Sequence, residues 1–345
     1  MGEIKLAFHN NRFIVIEKKV SGIYLARKIK NELHIDFIKN NAIAFNKYII
    51  LPIILDEFDI DLNIEGNLYI LYINNSKELV LRIQQEDKEL SSKVISNIEN
   101  RIYHLTLVNQ HNSENIFFIQ STASKSIFKI NHILLDDDVE EYLVDEVETY
   151  EILNPFKILK DDENLLILYY YKNQICLKGF DFKNRQWSPS IILTDNKNRF
   201  YLDAIKIGNI LHLVYSNFDL ENFMIKYESF SFDNDYITKT NERNISAKGN
   251  YTDPIILKVG NKIWICWKDT NQLLSVYSID DGISWSEIYQ WKDVKRFDVV
   301  KYKYVTDISN EWLYMDNVYG TTGKEIKFVG FGDIKDASLY YHKNE

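Results

Sequence analysis

Arginine, histidine, tyrosine and aspartate side chains recur where strand-like runs of this chain begin. Aromatic rings stack on the apolar face of a sugar, while carboxylates and guanidinium groups hydrogen-bond to its hydroxyl or acid groups. These residue types therefore predict a site for a polar ligand, provided that the fold brings the openings of the strands together. The candidates for ligand binding are Arg101, His104, Arg199, Tyr201, Asp203, Tyr251, Asp253, Arg296 and Asp298.

The elements that would position these residues form a repeat of about 50 residues. In each copy an alternating apolar strand precedes a polar turn that ends in asparagine, and a more apolar second strand and a third strand follow. A period of about 40–50 residues with three or four short strands is typical of β-propellers. The turn asparagines are Asn11, Asn67, Asn115, Asn164, Asn209, Asn261 and Asn310.

We therefore predict an all-β fold, a single β-propeller over residues 1–345 with seven blades of about four antiparallel strands. Sheets that stack radially cover each other's faces, which explains why the second strands are almost continuously apolar. A six-bladed ring, another all-β solenoid and a pair of sandwiches are alternatives. Residues 4–8 and 338–342 look like strands of the first and last repeats, so the ring is expected to close by face packing rather than by a shared strand.

Composition excludes several classes of function. The net charge is −9, which argues against nucleic-acid binding because that function needs a basic face. The longest apolar run, residues 48–55, is too short to span a bilayer, and the N-terminus lacks the apolar segment of a signal peptide. The sequence thus predicts a soluble, cytoplasmic protein, or an extracellular or surface protein if a signal was removed, and it leaves the oligomeric state open.

No cofactor or metal site is predicted, since the histidines lack metal-ligand spacing and no glycine-rich phosphate loop occurs. Cys176 and Cys266 are too few for a disulfide framework and are expected to be buried thiols. The acidic stretch 136–151 lacks the glycine of a calcium loop, so we expect a solvated excursion between blades. Within it, residues 139–150 can also be read as a short helix.

Residues 278–285 read Ser-Ile-Asp-Asp-Gly-Ile-Ser-Trp and predict a tight turn between two short strands. Asp280 can accept hydrogen bonds from N–H groups of the turn, Ser278 adds a hydroxyl contact, and Gly282 supplies a positive φ. Trp285 would then pack across the blade. Eroded copies are expected before Trp187, with Asn184 in place of the glycine and Phe182 in place of the aspartate, and at residues 233–236.

This turn resembles the Asp box of the sialidase-type propellers, also called bacterial neuraminidase repeat proteins. The resemblance implies that Ser278, Asp280, Gly282 and Trp285 staple the hairpin between the third and fourth strands, away from the active site. For an active sialidase it also implies an arginine triad, a tyrosine nucleophile paired with a glutamate, and an aspartate acid/base. Three arginines precede inner strands and are available for such a triad: Arg101, Arg199 and Arg296.

The chain departs from that family, because it has no Phe-Arg-Ile-Pro motif near its start. Asp253-Pro254 is similar to the dipeptide that opens a blade in five-bladed furanosidase-type glycosidases. On that resemblance, Asp203 and Asp253 of this chain would be the candidate catalytic carboxylates. Tyr251 is a further candidate for catalysis. Since no catalytic set is complete, the sequence favours a non-catalytic module that binds a glycan or a protein at the channel face. A sialidase-like glycoside hydrolase is the alternative.

Overall fold

The structure is a computed structural model that describes most of the chain. It divides into two compact units, residues 1–155 with 303–309, and residues 156–302 with 310–345. The described residues are 13–19, 22–39, 42–53, 57–85, 88–124, 126–148, 156–161, 164–219, 222–233, 236–270, 272–292, 294, 298–308, 312–322 and 327–340.

The first unit contains three antiparallel sheets built from consecutive strands. Sheet I has β1 (Phe13–Lys18), β2 (Gly22–Ile29), β3 (Glu32–Lys39) and β4 (Ala42–Pro52). Sheet II has β5 (Phe58–Leu62), β6 (Leu68–Ile73), β7 (Glu78–Gln85) and β8 (Lys88–Asn97). Sheet III has β9 (Ile102–Gln110), β10 (Ser113–Ser121), β11 (Ile127–Leu135) and β12 (Val139–Glu148).

The second unit continues the pattern. Sheet IV has β13 (Phe156–Lys160), β14 (Asn164–Tyr171), β15 (Gln174–Asp181), β16 (Gln186–Trp187) and β17 (Ile191–Ile192). Sheet V has β18 (Arg199–Ile207), β19 (Ile210–Asp219), β20 (Asn222–Asp233) and β21 (Tyr236–Asn244). Sheet VI has β22 (Tyr251–Val259), β23 (Lys262–Asp269), β24 (Gln272–Ser278) and β25 (Tyr289–Trp291). The later elements are β26 (Val299–Thr306), β27 (Leu313–Tyr314), β28 (Asn317–Thr321), β29 (Phe328–Val329), a 3-10 turn (Ile334–Asp336) and β30 (Ala337–Leu339).

The prediction of an all-β fold of four-stranded antiparallel sheets is confirmed. No α-helix occurs among the described residues, and none of their elements is a helix long and apolar enough to cross a membrane. The short helix considered for residues 139–150 is wrong, because Val139–Glu148 pairs with β11 as the outer strand β12. Its Val144 and Val147 are buried while most of its acidic residues lie in contact with solvent, an alternation that suits an edge strand.

The hydrophobic core lies between consecutive sheets, and the second strand of a sheet contributes to two layers of it. On β23, Ile265 and Trp267 pack in the cluster shared with sheet V, while Trp264 and Cys266 pack in a cluster on the opposite face. Each such side chain contributes about 1.5–3 kcal/mol through its removal from water. The continuous apolar runs of the second strands are thereby explained, and Cys176 and Cys266 are buried as expected, without a disulfide between them.

The first strands of consecutive sheets lie side by side. In the first unit the carboxylates of Glu57, just before β5, and of Asp59 and Asp61 on β5 accept hydrogen bonds from backbone N–H groups of β9, at 2.9, 2.7 and 2.7 Å. In the second unit Asp203 on β18 accepts a bond from the Ile256 N–H of β22 at 3.1 Å. Adjacent first strands of this kind are the arrangement expected of propeller blades within each unit.

Residues 303–309 belong to the first unit, where β26 lies next to β1. The Lys19 N–H donates to the Asp307 carboxylate at 2.7 Å, and the Tyr304 hydroxyl donates to Glu17. A strand from late in the chain thus lies beside β1 in sheet I, so the expectation of closure without a shared strand is wrong there. The predicted strand at residues 4–8 lies outside the described residues.

The last repeat forms no sheet of its own among the described residues. β27 pairs with β22 and β30 pairs with β25, so both extend sheet VI, whereas β28 and β29 follow β26 in the sheet that contains β1. The described strands form six sheets in total. Seven blades are therefore not confirmed.

Candidate functional site

Three of the predicted ligand-binding residues occupy equivalent positions in three first strands. His104, Tyr201 and Asp253 are each the third residue of their strand, and their φ angles are 56°, 57° and 51°. The strand register slips at each of these points. Left-handed backbone is uncommon for residues other than glycine, and β-bulges redirect side chains beside binding sites. All three side chains are partly exposed.

The backbone carbonyls of two bulges are satisfied by nearby hydroxyl groups. The Thr106 hydroxyl donates to the His104 carbonyl at 3.2 Å, and the phenol of Tyr319 donates to the Asp253 carbonyl. Burial, with the nearby Asp253 carboxylate second, raises the pKa of Tyr319 well above its ordinary value, so its hydroxyl keeps its proton. Pro254 has no N–H to leave unpaired where the ladder of β22 is interrupted.

Asp203 has a structural environment. Its carboxylate is buried and contacts Lys157 Nζ at 3.0 Å and Asn317 Nδ2 at 3.1 Å, besides its bond to Ile256. Lys157 also contacts Asp316 at 2.8 Å. Burial lowers the pKa of Lys157, but the two carboxylates outweigh it and raise the pKa above its ordinary value. The ammonium group stays charged, and Asp203 is its buried counter-ion.

Arg199 binds its own chain. The buried guanidinium donates to the backbone carbonyls of Asn173, Asp195 and Lys197 at 3.1, 2.5 and 3.4 Å, and it forms an ion pair with the Asp195 carboxylate. It also lies 5.1 Å from the centre of the Tyr215 ring. Burial acts to lower its pKa, but Tyr215 and Asp195 raise it. Its N–H donors thus bind the turn between β14 and β15 and the segment between β17 and β18, and they do not face solvent.

The remaining predicted site residues differ in their exposure. Tyr251 is 1% exposed and packs edge-on against Trp267, with ring centres 6.2 Å apart, as part of the core. Arg101 is exposed and lies 4.9 Å from the centre of the Tyr103 ring. Asp298 is exposed, and its carbonyl accepts a bond from the Thr322 N–H at 3.1 Å. Arg296 lies outside the described residues.

A tyrosine–glutamate pair that the sequence did not suggest lies within sheet V. The Tyr215 hydroxyl donates to Glu228 at 2.5 Å, and Lys239 contacts the other oxygen of that carboxylate at 2.7 Å. Both Tyr215 and Glu228 are fully buried, and burial raises the pKa of the phenol. The two residues are brought together by the pairing of β19 with β20, which the sequence pattern does not specify residue by residue.

The turn at residues 278–285 connects β24 to β25, the third and fourth strands of sheet VI. Asp280 accepts bonds from the Ser278 hydroxyl at 2.7 Å and from the Ser284 N–H and hydroxyl at 2.9 and 2.6 Å. These bonds, with the Ser284 hydroxyl first, lower the pKa of Asp280 to about 2. The Gly282 N–H donates to the Ser278 hydroxyl at 2.9 Å, and the φ of Gly282 is 85°.

The same turn is fastened to sheet V. The ring of Trp285 lies edge-on to Tyr227 with centres 4.9 Å apart, and the Asn241 side chain donates to the Gly282 carbonyl at 2.6 Å. The four residues of the motif therefore have turn-forming and packing contacts.

The eroded copy before Trp187 uses different residues from those expected. Asp181, not position 182, accepts N–H bonds from Lys183 and Asn184 at 2.8 and 3.1 Å. The left-handed residue is Arg185, with φ of 50°, rather than Asn184. The carboxylate of this copy lies one position earlier than expected. An aspartate can accept a hydrogen bond from the backbone N–H two residues after it, so this position also closes a turn. Of the copy at 233–236, residues 234 and 235 lie outside the described residues.

The serine that follows Trp187 and the serine that follows Trp285 make the same hydrogen bond in the two copies. Ser188 accepts a bond from the Gly179 N–H, and Ser286 accepts one from the Tyr277 N–H, both at 3.0 Å. The Trp-Ser dipeptide was a visible signal of this device. Among the described residues, no group of three or more histidine, cysteine, aspartate or glutamate side chains is placed to hold a metal ion.

Comparisons with known proteins show similarity of fold only. Neither the protein-family models nor the curated proteins gave a match to this chain. The hydrazine synthase of Kuenenia stuttgartiensis is similar with a TM-score of 0.50 and 8% identity, over 77% of this chain and 76% of that one. The WD40 domain of SCAP from fission yeast has a TM-score of 0.47 and 12% identity, over 76% and 66% of the two chains. The fucose-specific lectin from Aleuria aurantia has a TM-score of 0.44 and 11% identity, over 80% and 94%.

The fold and the geometry at the starts of the first strands define the class of this protein as all-β, built from antiparallel sheets of about four strands, three of which have a bulged first strand.

Proposed function

We propose that this chain is a non-catalytic β-propeller that binds a glycan or a protein at the openings of its first strands. The observation that carries the proposal is the shared bulge at His104, Tyr201 and Asp253. Each left-handed residue costs roughly 1 kcal/mol or more, and such strain is concentrated at functional sites. In the second unit the bulges present an aromatic ring and a carboxylate, a combination suited to hydroxyl-rich ligands.

The propeller itself is part of this proposal, as a single domain over residues 1–345. It is supported by the adjacent first strands and by the core layers between consecutive sheets in each unit. The six sheets and the place of β26 beside β1 favour the six-bladed alternative over seven blades.

A sialidase-like glycoside hydrolase is the second candidate. It would need an accessible carboxylate pair and arginines that face a substrate. Asp203 is buried against Lys157, Tyr251 is in the core, and Arg199 is bound to backbone carbonyls. These environments support the binding role, and Asp253 is the one of the three catalytic candidates whose side chain is partly exposed.

The test is capture on a glycan array, with a pull-down for protein ligands. We expect Tyr201→Ala to weaken capture about tenfold, because loss of a stacking ring removes about 1–3 kcal/mol. Tyr236→Ala is the matched control, since Tyr236 is 76% exposed on the outer strand β21. A silent array and an empty pull-down would overturn the proposal. Turnover of aryl glycosides, a sialoside included, that is lost in Asp253→Asn would establish the hydrolase instead.

A further inference from the structure

A cavity of about 320 Å³ lies in the first unit between sheets II and III. One wall is formed by the end of β8, and the other by one face of β10, β11 and β12. On that face Asn131 lies opposite Phe118 on one side and opposite Leu143 on the other. Gln120 is two residues beyond Phe118 and points the same way, since side chains alternate along a strand.

The contact between sheets II and III is apolar at one end of this face and polar at the end that borders the cavity. Deeper in the layer, Ile116 and Ile133 are buried in the cluster that joins sheets II and III, and Phe118 is 7% exposed at its margin. Towards the cavity, Gln120 and Asn131 take the place of apolar residues. Both amides are partly exposed, so they do not add to the core and their polar groups stay accessible to solvent or a ligand.

Several hydrogen-bonding groups of the cavity are available to a ligand. Within the described part of the chain, the side chains of Ser96, Asn97 and Gln120 form no hydrogen bond with the protein. Asn131 uses its Nδ2 in a bond to the Lys129 carbonyl at 3.3 Å, which leaves its side-chain oxygen to accept another. Amides and hydroxyls both donate and accept, as do the hydroxyl groups of a sugar.

The charge of the lining discriminates between ligands. No lysine or arginine is among the residues that line the cavity, all of which are described, and Glu141 contributes a carboxylate at its exposed margin. Phosphates, sulfates and acidic sugars need cations to offset their desolvation, so this lining disfavours them. A volume near the lower end of the roughly 300–1,000 Å³ usual for small-molecule sites fits one ring-sized ligand.

We propose that this cavity binds a single neutral sugar residue, held by the amides of Asn97, Gln120 and Asn131 over an apolar floor that includes Phe118. Its residues differ from those of the bulges at His104, Tyr201 and Asp253, although Gln120 pairs with Ile102 at the start of β9. The inference does not depend on the function proposed for the bulges.

The experiment is saturation-transfer NMR on the full chain with free glucose, galactose, mannose, fucose and N-acetylglucosamine, each at millimolar concentration. At least one sugar should receive saturation, and titration should show binding about 3- to 10-fold weaker in Gln120→Ala, the loss expected for one or two hydrogen bonds. Asn97→Ala should act alike, and because Asn97 is exposed this variant tests the site without burdening the fold. Gln290→Ala is the matched control, a half-buried strand glutamine in sheet VI.

Tyr201→Ala, at a bulge of the second unit, should leave this binding unchanged, which separates the cavity from that bulge. Saturation of none of the five sugars would overturn the proposal. So would sugar binding that survives both Gln120→Ala and Asn97→Ala, or tighter binding of N-acetylneuraminate or inorganic phosphate than of any neutral sugar.

Discussion

The phenol of Tyr319 donates a hydrogen bond to the backbone carbonyl of Asp253, the left-handed residue in the bulge of β22. Tyr319 is fully buried, so this bond ties a strained opening to the core of the second unit. It gives the bulge a fixed shape, as a preorganised binding surface requires.

Tyr319→Phe should therefore lower both stability and ligand capture. Loss of the hydroxyl leaves the carbonyl of Asp253 without this donor and should cost about 1–3 kcal/mol in urea unfolding. Tyr302→Phe is the control, because buried Tyr302 donates to the Thr321 carbonyl at 2.7 Å away from any bulge. We expect similar stability losses in both variants, with weaker capture only in Tyr319→Phe. Equal capture by the two variants would show that the bulge needs no support from Tyr319.

Asp203 should matter for stability more than for chemistry. In Asp203→Asn the buried ammonium of Lys157 loses its buried counter-ion and keeps the half-exposed Asp316. Removing one partner of a buried ion pair costs about 3–5 kcal/mol, whereas an exposed pair contributes about 0–1 kcal/mol. Denaturant unfolding of Asp203→Asn and Asp316→Asn should show that contrast. Comparable costs would mean that Lys157 is better solvated than its contacts indicate.

Local patterns predicted the elements well. The apolar run that follows Asn164 became β14, and the Ser278–Trp285 motif became the link between β24 and β25. Both depend on neighbours within a few residues, which a sequence displays directly.

The roles of single site residues could not be predicted in the same way. Arg199 is held by the carbonyl of Asn173, and Asp203 by the ammonium of Lys157, and both partners are far away in sequence. Such partners depend on how sheets pack together, so residues that looked like ligands proved to be part of the framework. The left-handed backbone at Tyr201 had no sequence signal, because tyrosine is not among the residue types enriched in that conformation.

Stability should fall as the pH drops below about 6.5, because two histidines are buried. Burial lowers the pKa of His132 to about 3, and burial, with Lys258 second, lowers that of His212 to about 4, both from 6.5. The unfolded chain thus binds protons that the folded chain does not. Stability is fully present above pH 6.5 and declines towards pH 4 by about 1.4 kcal/mol per pH unit for each histidine.

The variant His132→Phe tests whether the pH dependence of stability comes from the buried histidines rather than from other groups that titrate in acid. His132 stacks between Phe117 and Tyr142, at 4.5 and 5.4 Å between ring centres, so phenylalanine keeps the stack while it loses the contact with Asn115. We expect lower stability at pH 7.5 but a slope between pH 6 and pH 4.5 reduced by about half. Substitution of the exposed His111 by asparagine should leave the slope as it is. A slope unchanged in His132→Phe would contradict the assignment.

Gly282 should tolerate a side chain far less well than another glycine with positive φ. A Cβ at Gly282 would lie 2.0 Å from the Tyr227 hydroxyl, which is itself held 2.7 Å from His212 Nδ1 in the core. Gly208 has φ of 54°, and no atom lies within 4 Å of the position that its Cβ would occupy. Gly208→Ala should thus cost about 1–2 kcal/mol for its backbone alone.

Gly282→Ala should cost at least about 2 kcal/mol more in denaturant unfolding, because either the turn or the ring of Tyr227 must shift and overpacking adds about 1–3 kcal/mol. The fluorescence of Trp285 should change with it, since that ring rests on Tyr227. If both alanine variants lose the same stability, the turn moves freely over sheet V and its role is confined to the hairpin. A larger loss at Gly282 would instead establish the turn as a fastening between neighbouring sheets, which is what its contacts with Tyr227 and Asn241 imply.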